Sequence, residues 1–264
     1  LGEEFCLTGE RRYLDKWVEL TGAWIDSVAL DFLPSDVCGR RVQNWIFAHY
    51  FFVSQAKSPL ISGDFYSKFL TALCRQVNYL CENLTPARNH RTIELYAIFM
   101  AAVVFPEFKD AARWLEFSRQ ELCANIEADL LPDGVHCEIS TDYHHLVLRN
   151  YLNIVKLAHL NQIEMPPIID ERIQAALEFA KFVHKPDGSI PALSDGDSRN
   201  FIDVLRQGFY LYQDQELAYI VSQGRVGKVP STRSKLFANS GYAILRSGWG
   251  AGNDAFGDER YLIF

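Results

Sequence analysis

Apolar residues recur at helical spacing through the first two-thirds of the chain, and turn-forming clusters divide them into segments. Thr8 reads as the cap of a helix carrying Leu14, Trp17, Leu20 and Trp24. Pro34-Ser35-Asp36 opens a second helix, with Val42, Trp45, Ile46 and His49 on its apolar side. Ser62-Gly63-Asp64 opens a third, through Phe65, Phe69, Leu73 and Leu80. Pro86 precedes a fourth, which is apolar on all sides from Ile93 to Phe105 and is therefore expected to be buried all round. Pro106 ends it. A fifth runs from about Lys109 to Leu131 with a stripe of Leu115, Leu122, Ile126 and Leu130. After the Pro132-Asp133-Gly134 turn, a short segment from Val135 to Ser140 leads into a sixth helix, Thr141 to Gln162. A seventh follows Pro166-Pro167. Pro186-Asp187-Gly188 is a turn, Ile190 to Asn200 an irregular loop, and an eighth helix extends from Phe201 or Leu205 to Ser222.

The pattern then changes. Gly224 to Ser234 is polar and linker-like, and Leu236 to Arg246 reads as one strand bent at its small residues. A loop from Gly248 to Asp258 precedes a second strand, Arg260 to Phe264. Helix pairs joined by short loops suggest an α/α toroid over residues 1–233, followed over 234–264 by the first strands of a sheet domain. A solenoid would require a constant period, and the chain has no such repeat. The absence of an initiator Met and an end in what reads as mid-strand suggest a fragment of a longer protein, whose open sheet edge is prone to self-association.

Composition narrows the function classes. The chain has 264 residues, 48% hydrophobic and 22% charged, an ordinary globular balance. No apolar run approaches a membrane span. A net charge of -7 argues against nucleic acid as a partner, though not against a local basic cleft. The six cysteines form no CxxC pair, so no zinc ribbon or thioredoxin-type site is expected and no metal ligands are assigned.

Three polar clusters carry potential chemistry: Arg88-Asn89-His90-Arg91 with Glu94; Asp133-Gly134 through Glu138 to His145; and Asp187-Gly188-Ser189 with Asp195-Gly196-Asp197-Ser198. His90 and Glu94 are four apart and share a helix face. Spacing alone equally allows Asn89 as a helix cap, His90 as a core histidine and Tyr143 as an amphipathic packing residue. His144 and His145 are helical neighbours pointing about 100° apart, so one ion would not usually take both.

The run of Asn89-His90, Glu94, Phe105-Pro106-Glu107-Phe108, Leu131-Pro132-Asp133-Gly134, Glu138-Ile139-Ser140 and Tyr143-His144 resembles the heparinase II/III and alginate lyase superfamily. Pro191, Gly196-Asp197-Ser198 and Ser240-Gly241-Tyr242-Ala243-Ile244-Leu245-Arg246 extend the resemblance to almost the whole chain. It implies a mainly α fold, an incomplete α/α toroid followed by an antiparallel β-sandwich, and cleavage of uronate-containing polysaccharide by β-elimination. It also implies that Asn89, His90 and Tyr143 are the catalytic residues of the toroid. A sandwich histidine, and the structural zinc some members hold there, would lie beyond Phe264, and this chain itself needs no cofactor. A periplasmic or secreted location follows from the same resemblance.

The residue types suit elimination. Amide and imidazole donors can stabilise the carboxylate as C5 loses its proton. A tyrosine whose pKa is lowered by a cationic neighbour can take that proton, or give one to the leaving oxygen. Arg41, His144, His145 and Arg149 are candidate sources of positive charge for an acidic sugar, Glu94 and Glu138 are further candidate substrate-binding residues, and Trp45 and Tyr96 are candidate sugar platforms. Two other readings stay open. One is a glycoside hydrolase using two of Glu138, Asp195 and Asp197; the other is a helical domain that only binds acidic polysaccharide.

Overall fold

The computed structural model describes residues 1–55, 60–250 and 256–264. Its helices are α1 (Gly2–Thr8), α2 (Arg11–Ser27), α3 (Ser35–His49), α4 (Gly63–Glu82), α5 (Arg88–Val104), α6 (Ala111–Asp129), α7 (Thr141–Leu160), α8 (Pro167–Val183), α9 (Ile202–Tyr212) and α10 (Gln215–Val221). One antiparallel sheet follows, in the order β1 (Ser234–Phe237), β2 (Tyr242–Arg246), β3 (Tyr261–Ile263). The mainly α class with opening strands of an antiparallel sheet is as the patterning predicts.

The expected boundaries hold where a cap or proline sets them. Ser62 and Ser140 accept the Phe65 and Tyr143 amides and so cap α4 and α7. Three expectations are corrected. Thr8 ends a short helix instead of opening one: its hydroxyl donates to the Glu4 carbonyl, and α2 starts after Glu10 with no side-chain cap. The eighth helix is two, because Gln213 turns left-handed (φ 54) and Asp214 caps a new helix through the Glu216 and Leu217 amides. The bent strand is a hairpin: Phe237 pairs with Tyr242 across a turn in which Gly241 adopts φ 85, a conformation glycine reaches without a Cβ clash. Of the loop expected from Gly248 to Asp258, residues 251–255 lie outside the described residues.

The described residues form two compact units, residues 1–86 with 93–121 and residues 87–92 with 122–264. The first has an aromatic core. Trp17 stacks on Phe52 at 5.1 Å between ring centres and meets Phe65 and Phe69 edge-on. Leu95 to Ala101 of α5 are all buried there, as the unbroken apolar run requires.

The second unit packs α7 against α8 and α9, and α8 against β1. Phe179 of α8 lies edge-on to Phe237 of β1. The buried Arg246 guanidinium closes the corner. It pairs with Glu259, donates to the Phe182 and His184 carbonyls at 3.0 and 2.6 Å, and lies over the Trp249 ring. Such a buried pair needs all these partners to offset its desolvation. The hairpin also braces the loop before α7: Ser240 donates to Asp133 Oδ2 through its amide and hydroxyl, and the Tyr242 hydroxyl donates to the Ile139 carbonyl at 2.7 Å.

Three of the four buried histidines of this unit, His144, His145 and His184, make its stability pH-dependent. Burial lowers His184 to about 4 and His144 to about 3, and drives His145 well below its ordinary value. Below the unfolded value of about 6.5 the unfolded chain takes up protons that the folded chain refuses. Stability should therefore be full above pH 6.5 and fall as pH drops from about 6.5 towards 4, with His184 contributing at most about 3 kcal/mol. Urea midpoints between pH 7.5 and 4.5 should show this slope, and His184→Asn should reduce it. A midpoint flat across that range would contradict the assignment.

Candidate functional site

The second unit gathers the starts of α5 and α7 around a buried carboxylate. Asp129, the last residue of α6, accepts at Oδ2 from the Thr92 hydroxyl and from Asn125 Nδ2, both at 2.7 Å. The Tyr151 hydroxyl of α7 lies 3.4 Å from the same oxygen. Burial raises the Asp129 pKa, and these hydrogen bonds oppose the rise. One turn before Thr92, Asn89 points its Nδ2 at the Glu138 carboxylate, at 3.1 and 3.3 Å from the two oxygens. That orientation fixes which end of the amide faces Glu138.

Tyr143 lies on the first turn of α7, and its hydroxyl donates to Asp195 Oδ2 at 3.0 Å. The loop carrying Asp195 is fastened to the helix start. Ser140 Oγ donates to the Asp195 carbonyl at 2.6 Å, Thr141 Oγ1 to the Pro191 carbonyl at 2.5 Å, and the Asp197 amide to Asp142 Oδ2 at 3.3 Å. Arg199 bridges Asp142 and Asp197. Gly196 is needed for this approach, since a Cβ there would lie 2.6 Å from that of Asp142 and 2.9 Å from Ser140 Oγ.

Backbone strain marks the same place. Among the described residues, six non-glycine residues have positive φ. Gln162, Gln213 and Gln223 follow the ends of α7, α9 and α10, where left-handed residues are usual. The other three flank the site: Arg88 (φ 74) before Asn89, Ile139 (φ 52) after Glu138, and Ser194 (φ 61) before Asp195. For a β-branched residue such as Ile139 this is a genuine outlier, and residues held this way cluster at functional sites.

The sequence-derived candidates are distributed unevenly. Asn89, Glu138 and Tyr143 are brought together: Asn89 binds Glu138, and the Glu138 charge contributes to the Tyr143 shift. His90 is exposed on the same first turn of α5. The expected lowering of the Tyr143 pKa is corrected. The hydrogen bond to Asp195 and that residue's charge raise it, so the phenol keeps its proton at neutral pH. His144 and His145 are corrected as sources of positive charge. Each is buried and neutral, donating to the Ala176 and Thr141 carbonyls at 3.1 and 2.7 Å. Glu94 is corrected as a substrate contact, because it is fully buried and accepts from the Thr85 amide and the Thr85 and Ser35 hydroxyls.

Trp45 lies buried between Trp24 and Phe69, and Tyr96 is buried in α5. Arg41 donates to Gln76 and stacks on the Trp24 ring at 3.9 Å. Arg149 pairs with Asp203 and lies over Phe201. Sequence reasoning missed Asp129, Asn125 and the linkage of Asp195 to Tyr143. The first two were legible as polar positions on the buried stripe of α6. Among the described residues one group could hold a metal: the donor atoms of Asp129, His136 and Cys137 all lie within 4.8 Å of one another. Among the described residues no cysteine forms a disulfide, and no described helix is long and apolar enough to cross a membrane.

Comparison with known proteins bears on the fold and the family. The heparin-sulfate lyase of Bacteroides thetaiotaomicron is 25% identical over 93% of the chain, and that of Pedobacter heparinus 27% identical over 92%. The chain spans 38% of the length of each. Among solved structures, heparinase III superposes with a TM-score of 0.85 at 23% identity, covering 94% of this chain and 41% of that one. The heparan sulfate lyase of Pedobacter heparinus gives 0.78 at 23% identity, covering 100% of this chain and 42% of that one. These likenesses establish the helical toroid class of fold. The heparinase II/III N-terminus model matches residues 1–219, and the chain therefore belongs to the heparinase II/III N-terminal family.

Proposed function

We propose that this chain is the helical catalytic part of a polysaccharide lyase, with residues 1–233 as the catalytic domain and 234–264 opening a β-sandwich. The substrate is a uronate-containing acidic polysaccharide of the heparin and heparan sulfate class, cleaved by β-elimination. The observation that carries this reading is the convergence of Asn89 and Tyr143, distant in sequence, on the neighbourhood of Glu138. Two relatives named heparin-sulfate lyases support the substrate class. A polymer of this size and charge is met outside the cytoplasm, so the protein is assigned to the periplasm or the exterior.

Elimination breaks the C5–H bond of the uronate and the bond from C4 to the leaving oxygen. The C5 proton is weakly acidic because the adjacent carboxylate is already charged. Asn89 offers Glu138 one Nδ2 hydrogen and retains a second for the sugar carboxylate. That bond strengthens as charge moves onto the carboxylate, so it favours the transition state over bound substrate. His90, exposed on the same turn, supplies a second donor. Tyr143, kept protonated by Asp195, acts as the acid that protonates the leaving oxygen. In this reading Glu138 orients Asn89 and does not contact the anionic sugar. The resemblance assigns a further histidine to the family's sheet domain; as the base it would take the C5 proton while the C4=C5 double bond forms and the leaving oxygen departs with the Tyr143 proton.

In the whole protein, Asn89→Ala should lower kcat by about 10²–10³-fold and Tyr143→Phe by about 10²–10⁴-fold, with thermal midpoints within a few degrees of wild type. The readout is ultraviolet absorbance of the unsaturated product from uronate polymers. New reducing ends without absorbance would indicate hydrolysis instead, and a Tyr143→Phe variant at near wild-type rate would remove Tyr143 from the mechanism.

A pH profile tests the role of Asp195. Replacing it by Asn removes the negative charge that raises the Tyr143 pKa, so the phenolate forms at lower pH. The alkaline limb of kcat should move to lower pH in Asp195→Asn. An unmoved limb would dissociate Asp195 from Tyr143's proton.

A further inference from the structure

Beneath Asn89 and Glu138, two buried polar atoms lack a hydrogen-bonding partner: Asp129 Oδ1 and His136 Nε2. Both residues are fully enclosed. Asp129 commits its other oxygen to Thr92 and Asn125, which leaves Oδ1 alone. His136 Nδ1 has only a long 3.4 Å contact with the Glu138 amide. The Cys137 thiol joins them, and one donor atom from each residue fits within 4.8 Å of the others. The backbone holds them in place. Leu130 and His136 form an antiparallel bridge, and the Cys137 amide donates to the Asp129 carbonyl at 2.7 Å. Enclosed, unpaired donor and acceptor atoms are costly in a fold unless something satisfies them.

We infer that Asp129, His136 and Cys137 form a binding site for a divalent transition metal of the zinc class. The donors are one carboxylate oxygen, one imidazole nitrogen and one sulfur, a mixture that suits zinc and not the all-oxygen shells of magnesium or calcium. On binding, Cys137 releases its thiol proton to solvent and ligates as thiolate. His136 ligates through the Nε2 lone pair, so its ring proton moves to Nδ1 and the long 3.4 Å bond accepted there from the Glu138 amide is given up, and Asp129 ligates through Oδ1. The two negative ligands balance the ion's two positive charges, leaving a neutral buried centre. Cys137 is partly exposed, which opens a path for the ion and for a water as fourth ligand. Cys137 adjoins Glu138, and Thr92 is tied to Asp129 one turn after Asn89, so the ion would brace both sides of the Asn89–Glu138 contact.

The test reads metal and not turnover, so its outcome is separate from that of the lyase reading. The purified protein is stripped with a chelator, then titrated with cobalt(II) and, in competition with a chromophoric chelator, with zinc. Wild type, Cys137→Ser and His136→Gln are compared, so any other metal site cancels. Cys137→Ser changes one partly exposed atom, and circular dichroism confirms its fold. Wild type should show thiolate-to-cobalt charge-transfer absorption that Cys137→Ser lacks. Both variants should bind zinc more weakly by at least the ~10–100-fold that losing even an outer-shell partner costs. Identical cobalt spectra and zinc affinity in wild type and Cys137→Ser would overturn the site, and would leave Asp129 and His136 as a direct carboxylate–imidazole pair.

Discussion

The second unit is organised by one enclosed carboxylate. Asp129 ends α6 and binds the first turns of α5 through Thr92, its own helix through Asn125, and α7 through Tyr151. A buried carboxylate needs polar partners, and three groups converge on its Oδ2 alone, so these bonds act as a geometric requirement more than a source of stability. Asn89 is placed by this requirement, because it sits one turn before Thr92 on the same helix. The loop that leaves Asp129 carries Glu138 to Asn89 and delivers Ser140 as the cap of α7. Tyr143 then follows on the first turn.

Strain and bracing complete the placement. Arg88, Ile139 and Ser194 adopt left-handed backbone conformations beside Asn89, Glu138 and Asp195. Such residues persist where their surroundings over-determine them. For Ile139 that surrounding is Tyr242, whose hydroxyl holds its carbonyl, and for the preceding turn it is Ser240 on Asp133. The hairpin therefore supports the loop that carries Glu138. This gives the opening of the sheet a structural reason to accompany the helices.

Much of the fold was legible in the sequence, because the core helices have the 3.6-residue apolar period and several carry a cap or proline at the start. The failures have physical causes. The α9–α10 break rests on one left-handed Gln213, a residue with no turn signature. The hairpin was read as one strand because β1 and β2 are short and share an apolar pattern across Asn239-Ser240-Gly241. At the site, Asn89, Glu138 and Tyr143 were legible only through resemblance to a family pattern, since each has an ordinary packing or capping role at its spacing. Asp129 and Asn125 went unread because polar positions on a helix stripe are ordinarily assigned to solvent. Histidines 144 and 145 were read as charge, although burial strips it from both.

The central claim is that Asn89 and Tyr143 act on the same uronate residue. The most direct measurement is a crystal structure of the whole Tyr143→Phe protein with a uronate-containing heparan oligosaccharide. The account predicts the carboxylate of one uronate within hydrogen-bond distance of Asn89 Nδ2, with the oxygen leaving C4 of the same sugar facing the ring edge at position 143. A bound oligosaccharide whose uronate carboxylates all lie away from Asn89, or whose scissile oxygen faces another residue, would contradict it.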